Sequence, residues 1–190
     1  MRVLGISGSL RRDSLNTALL RTAAERLPGG AEMVIFDRLG EIPPFNEDME
    51  LEPAPEAVWE LRDAMRTADA VLIATPEYNH SLPGQLKNAL DWASRPAGQS
   101  ALTGKPVAVI GASKSMFGGV WAQAELRKVL AAMGGRVIEA ELPVAEAHEQ
   151  IEDGRLELTP DQATRLEEIL AELIAAAEAE AEAGREQVPA

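Results

Sequence analysis

Short, β-branched apolar runs alternate with longer amphipathic stretches along this chain, and that alternation constrains its fold more than any other feature. Val3-Leu4-Gly5-Ile6-Ser7 reads as a buried strand, and Leu15 to Leu27 as a helix closed by Pro28-Gly29-Gly30. Met33-Val34-Ile35-Phe36 is a second strand, followed by a loop rich in proline and acid and a helix from Pro55 to Ala68. Ala70-Val71-Leu72-Ile73-Ala74 is a third strand, with a helix from Pro83 to Trp92. Val107-Ala108-Val109-Ile110 is a fourth, with a helix from Val120 to Met133, and Arg136-Val137-Ile138 a short fifth. These strands are continuous apolar runs, as expected where helices cover both faces of a parallel sheet. Right-handed crossovers then predict a doubly wound α/β fold, a five-stranded parallel sheet in the order 2-1-3-4-5 with helices on both faces.

The carboxyl-terminal helix is clearly punctuated. Thr159 suits its cap, Pro160 its first position, and Gln162 completes a capping-box pattern. Leu166, Ile169, Leu170, Leu173 and Ile174 form one apolar face. Beyond Ala177 the chain is almost only alanine and glutamate, with nothing large to bury. The expected division is therefore a folded domain over 1–177 and an acidic, fraying tail over 178–190.

At 190 residues, 46% of them hydrophobic, the chain suffices for one domain with a substantial core. It has no cysteine, which excludes disulfides, thiolate catalysis and thiolate-bound metal. Two histidines, His80 and His148, make a poor basis for a metal site. The apolar start is too brief for a signal peptide and no stretch is long enough to span a bilayer, so a cytoplasmic location is expected. The net charge of −13 is local: from Glu141 onward there are 14 acidic and 3 basic residues, and the remainder is nearly balanced. A phosphate-bearing ligand meets no wall of repulsion there, while nucleic acid lacks any basic stripe to bind.

Three segments carry possible chemistry. Gly8-Ser9-Leu10-Arg11-Arg12-Asp13-Ser14-Leu15-Asn16 joins the first strand to the first helix. A helix start offers amide N–H groups without intrahelical partners, and Ser9, Ser14, Asn16 and Arg11 add donors suited to phosphate. The plainer reading is that Ser14 only caps the helix and the arginines are solvated. The second segment, Thr75 to Trp92, follows the third strand. In this strand order its loop and the first one flank the switch point where ligands bind. Tyr78 as a packed loop aromatic, and Asn88 and Asp91 as helix surface, are the alternatives. The third segment, Gly111 to Gly119 with Ser113, either approaches the same ligand or is a connector.

G-S-L-R-x-x-S-x-N after the first strand, P-E-Y-N-x-S-x-P-G-x-L-K-N-A-x-D-W after the third and G-A-S after the fourth resemble the NADPH-dependent FMN reductase family. The likeness runs from Met1 to Gly135, with Ile42 to Asp48 included. It implies a flavodoxin-like fold, and FMN as cofactor with NADPH or NADH as co-substrate. The activity implied is reduction of a quinone-like acceptor by ping-pong hydride transfer. It also implies that Ser9, Arg11, Ser14, Leu15 and Asn16 hold the FMN phosphate. Pro76, Glu77, Tyr78, Asn79 and His80 would run along the ring through backbone groups, and Ser113 would close the site. Lys114-Ser115-Met116-Phe117 departs from the small, glycine-rich stretch of relatives and bears on acceptor preference. A homodimer or homotetramer is implied, with Trp92 and Trp121 as candidate contacts; Trp121, on the flank of its helix, either marks such an interface or packs under a loop. No acid–base or nucleophilic residue and no metal is expected, since the cofactor performs the chemistry.

Rival readings make distinct demands. A flavodoxin-like electron carrier would bind FMN without nicotinamide turnover, but carriers usually sandwich the ring between aromatics, and Tyr78 is the only tyrosine. A serine hydrolase built on Ser113 needs glycine at Ser115. A nucleotide-binding P-loop over Gly98 to Lys105 is one residue too long and has Pro106 where a hydroxyl belongs.

Overall fold

The computed structural model describes residues 1–50, 53–152 and 155–186. Strands β1 (Arg2–Ser7), β2 (Glu32–Phe36), β3 (Ala70–Ala74) and β4 (Pro106–Ala112) pair in parallel, and with β5 (Arg136–Val137) the order is β2-β1-β3-β4-β5. Leu4 lies between Val34 and Val71, and Ile73 opposite Val109. Successive strand residues point to opposite faces. Leu4, Ile6, Val71, Ile73, Val107 and Val109 therefore enter one buried layer and Val3, Leu72, Ala74, Ala108 and Ile110 the other.

Helices cover both faces. Helices α2 (Glu56–Thr67), α3 (Gly84–Ala93) and α4 (Val120–Ala132) close the first layer with Leu61, Met65, Leu86, Leu90, Leu126 and Leu130. Helices α1 (Leu15–Ala24) and α5 (Pro160–Glu186) close the second with Leu19, Leu20, Leu166, Ile169, Leu170 and Leu173. Each of these fully buried side chains contributes roughly 1.5–3 kcal/mol of transfer free energy. Among the described residues no helix is long and apolar enough to cross a membrane.

The structure differs from the sequence expectation at four places. Helix α1 ends at Ala24 and not at Leu27: the Arg26 N–H turns to the Ala23 carbonyl (3.0 Å), tightening the last turn, and Pro28 has no N–H with which to carry the ladder on. The fifth strand is split. Arg136–Val137 pairs with the start of β4, while β6 (Pro143–Val144) pairs in parallel with Gly111 and Ala112 at its end. Ile138 lies outside β5, although its N–H still reaches the Val107 carbonyl. In the gap, fully buried Gln123 accepts from the Leu142 N–H (3.2 Å) and donates to the Gly118 carbonyl (3.3 Å).

The third difference is a small antiparallel pair, β7 (Ile151–Glu152) with β8 (Arg155–Leu156), that joins the sheet to α5. Its Leu156 carbonyl accepts from buried Thr22 (3.0 Å). The fourth concerns Trp92. It is fully buried, donates from Nε1 to the Pro43 carbonyl (2.9 Å) and stands edge-on to Phe45. It is unavailable to a partner chain.

Helix α5 begins on a reciprocal capping box, Thr159 N–H to Gln162 Oε1 (3.0 Å) and Gln162 N–H to Thr159 Oγ1 (3.3 Å). It continues past Ala177 to Glu186, and Glu180 reaches back to pair with Arg136. Positions 187–190 of the expected tail lie outside the described residues.

Candidate functional site

The turn from β1 into α1 is held from below. The Thr17 hydroxyl donates to Ser7 Oγ (2.9 Å), and Ser7 Oγ also accepts from the Ser9 N–H (3.4 Å). Ser14 is nearly buried and caps α1, accepting from the Thr17 N–H (3.2 Å), so the capping role is real. Its hydroxyl hydrogen stays free to donate. The N–H groups of Ser14, Leu15 and Asn16 have no partner among the described residues, and they point out of the positive end of the helix. Arg11 is exposed and enters no ion pair among those residues. Gly8 packs closely where this turn passes the next loop and α3: a Cβ there would lie 3.0 Å from Leu86 and 3.2 Å from Pro76, so either neighbour would have to shift slightly to admit one.

After β3 the chain makes a tight hairpin. Tyr78 and Ser81 exchange backbone hydrogen bonds (3.0 and 3.1 Å) around Asn79 (φ 53°) and His80 (φ 61°). Positive φ at both central residues is what a two-residue type I′ turn requires, and Asn and His tolerate it better than most residues. The hairpin's side chains are fastened to α4. The Glu77 carboxylate accepts from the Trp121 and Ala122 N–H groups (3.0 and 3.1 Å) and lies 3.6 Å from His80 Nδ1. The Ser81 hydroxyl donates to Glu125 (2.6 Å), and the His80 ring stands edge-on to Trp121, which in turn meets Phe117. Glu77 thus supplies α4 with the N-terminal carboxylate that its own sequence lacks.

The loop after β4 is tied to the first turn. Asn16, almost fully buried, donates from Nδ2 to the Ala112 carbonyl and accepts at Oδ1 from the Ala112 N–H, both at 2.9 Å. Ser113 Oγ accepts from the Ser115 N–H (3.0 Å), and the Ser113 and Ser115 carbonyls accept from Ala147 and Glu146. Gly118 (φ 60°) passes so close to Pro143 that a Cβ would fall 2.5 Å from its carbonyl carbon.

These three loops meet at the carboxyl ends of adjacent strands β1, β3 and β4. Ser9, Arg11, Leu15 and Asn16 line one side of a cleft there; Pro76, Glu77, Tyr78 and Ser113 line the other. A neighbouring cavity bounded by Gly8, Leu10 and Gln85 shares Arg11 and Tyr78, and the two measure 220 and 320 Å³. Ser14, Asn79 and His80 stand behind the walls, as cap and turn. Asn16 spends one amide hydrogen and one oxygen lone pair on Ala112, leaving a single Nδ2 hydrogen and a second lone pair. Sequence reasoning missed Ala112 and Lys114 as cleft-lining residues. Ala112 acts through its backbone, which no side-chain pattern announces, and Lys114 registered only as a departure in its loop. A wider cavity, 810 Å³, lies among residues preceding β3 and β4, including Trp59, Arg62 and Arg66. Its buried Arg62 already donates to the Trp92 carbonyl at the end of α3 (2.9 Å).

Parallel strands with a polar crevice where β1 and β3 diverge define a doubly wound, ligand-binding α/β protein of flavodoxin-like topology. The model of the NADPH-dependent FMN reductase family matches residues 1–149, and the chain belongs to that family. It is 50% identical over 130 residues to an NAD(P)H-dependent FMN reductase of Pseudomonas aeruginosa, covering 68% of this chain and 69% of the relative. It is 44% identical over 131 residues to a 2-hydroxy-1,4-benzoquinone reductase of a Burkholderia species, covering 69% and 70%. Among solved structures, the flavoenzyme NAD(P)H:(acceptor) oxidoreductase FerB of Paracoccus denitrificans superposes with a TM-score of 0.81 at 37% identity, covering 94% of this chain and 98% of that one. The chain is accordingly an NAD(P)H-dependent oxidoreductase that works with FMN.

The residues present suit that cofactor. N–H groups at a helix start without partners among the described residues, serine hydroxyls and the exposed Arg11 guanidinium fit a phosphate.

Proposed function

We propose that FMN binds with its phosphate over the β1–α1 turn and its ring along Pro76 to Tyr78, and that the protein passes electrons from NADPH or NADH to quinone-like acceptors. The observation that carries this reading is the convergence of free donors: the N–H groups of Ser14, Leu15 and Asn16 beside the unpaired Arg11, facing the Tyr78 hairpin across one cleft.

When bound, FMN supplies two-electron hydride chemistry, which no side chain of this protein can perform. The chain's own residues bind and orient. Ser9, Ser14 and the first N–H groups of α1 donate to the phosphate, and Arg11 adds charge. Tyr78 and Pro76 give the ring an apolar wall, held rigid because Glu77, His80 and Ser81 are anchored on α4. The free backbone N–H groups of Glu77, Asn79 and Lys114 are available to polar atoms of the ring edge. Residues 1–177 form the FMN-binding unit in this reading, the compartment is the cytoplasm, and the acceptor is small.

The protein works as a homodimer or homotetramer in this reading. Trp121 supports it: its indole is 41% exposed beside exposed Phe117 and Met116, an apolar patch next to the cleft.

The test is a flavin-fluorescence titration of apoprotein, wild type against Arg11→Ala, joined to an anaerobic NADPH bleaching experiment. Arg11→Ala should weaken FMN binding by about tenfold or more, as loss of a charge-assisted bond does. Unchanged affinity would remove Arg11 from the phosphate site. FMN bound without bleaching by either nicotinamide would favour an electron carrier instead.

A further inference from the structure

Lys114 has no task in the fold. It stands between Ser113 and Ser115, whose hydroxyls lie 3.1 Å apart and whose carbonyls are taken by the Ala147 and Glu146 N–H groups, so its backbone is held on both sides. Its side chain is exposed and makes no hydrogen bond or ion pair among the described residues. It nevertheless lines the cleft on the β4 side, across Pro76 and Tyr78 from Arg11 on the β1 side. Glu77, the carboxylate on the same wall, is turned to the α4 N-terminus and does not neutralise it. A cation without a counter-ion among the described residues thus stands at the rim of the site, opposite Arg11, in a chain of net charge −13.

We propose that Lys114 is a specificity-determining residue, favouring substrates that carry an anionic group where they enter the cleft. The inference rests on FMN occupying that cleft. At physiological salt the chain's remote negative charge is screened beyond about 8 Å, so a substrate at the cleft feels mainly the nearby cations. Arg11 is committed to the cofactor phosphate in this account. Lys114 is then the free charge that meets the second molecule, whether the anion is the 2′-phosphate of the nicotinamide donor or an acidic group on the acceptor.

The test compares FMN-loaded wild type, Lys114→Gln and Lys114→Arg by two internal ratios. One is kcat/KM for NADPH over NADH with neutral 1,4-naphthoquinone as acceptor. The other is kcat/KM for 1,4-naphthoquinone-2-sulfonate over 1,4-naphthoquinone at fixed NADH. Lys114→Gln should lower at least one ratio roughly fivefold, the upper range for an exposed charge pair. Lys114→Arg should restore it, and added salt should flatten it in the wild type and in Lys114→Arg but not in Lys114→Gln. The ratio that moves identifies the source of the anion. Because each ratio is taken on one protein preparation, partial loss of folded enzyme cancels. Both ratios unchanged in Lys114→Gln would overturn the proposal. A separate FMN titration of Arg11→Ala and Lys114→Gln distinguishes this failure from a misplaced cofactor: the latter shows as Arg11→Ala binding FMN like wild type.

Discussion

Asn16 and Ala112 hydrogen-bond to each other in both directions, side chain to backbone, at 2.9 Å each way. The pair is buried and spans the chain from the first turn of α1 to the end of β4. It fixes the spacing between the turn that offers free N–H groups and the loop that carries Ser113 and Lys114. Asn16→Ala would leave the N–H and carbonyl of Ala112 buried without partners. Each such group costs about 1–3 kcal/mol. Urea denaturation should therefore show a loss of roughly 2–4 kcal/mol at an unchanged m-value, and a loss below half a kcal/mol would mean the pair is replaceable.

Glu77 acts on α4 at a distance in sequence. Removing a side-chain cap costs about 0.5–2 kcal/mol, and Glu77→Ala should fall in that range by thermal or urea unfolding. Glu77→Gln keeps an acceptor oxygen and should lose less. The same Glu77→Ala change should weaken FMN binding, because the hairpin that carries Tyr78 loses an anchor. An FMN affinity equal to wild type in the destabilised variant would separate the cap from the site.

Helix α5 should show two regimes in hydrogen exchange. Leu166, Ile169, Leu170, Leu173 and Ile174 are buried against the sheet, whereas Glu178 and Glu182 face solvent. Amides beyond Ala177 should exchange at least about tenfold faster than those of Ile169 to Leu173, the fraying expected of the sequence beyond that point. Uniform protection to Glu182 would show the Arg136–Glu180 pair holding the end in place.

Much of this molecule is legible in the chain because its strands are pure. Val71, Leu72 and Ile73 have no alternation to misread, and Thr159 with Gln162 announces a cap that forms as written. The split fifth strand was not legible, since its second piece, Pro143–Val144, is too short for periodicity and is aligned by Gln123 from another element. At the site, charged and hydroxyl side chains such as Arg11 and Ser9 were readable by type. The orientation of Glu77 was not: its spacing suits the cleft, yet its carboxylate is drawn to the bare N-terminus of α4. Trp92 misled because an aromatic on a helix says nothing of which layer receives it, and Pro43 takes its N–H in the core.

The position of FMN is the claim on which the rest depends, and a crystal structure of the protein grown with FMN tests it most directly. The account predicts phosphate oxygens within hydrogen-bond distance of Ser9, Arg11 and the α1 N–H groups, with the ring against Pro76 and Tyr78. Density for the flavin in the cavity beneath Trp59, or a β1–α1 turn left empty beside a bound ring, would contradict it.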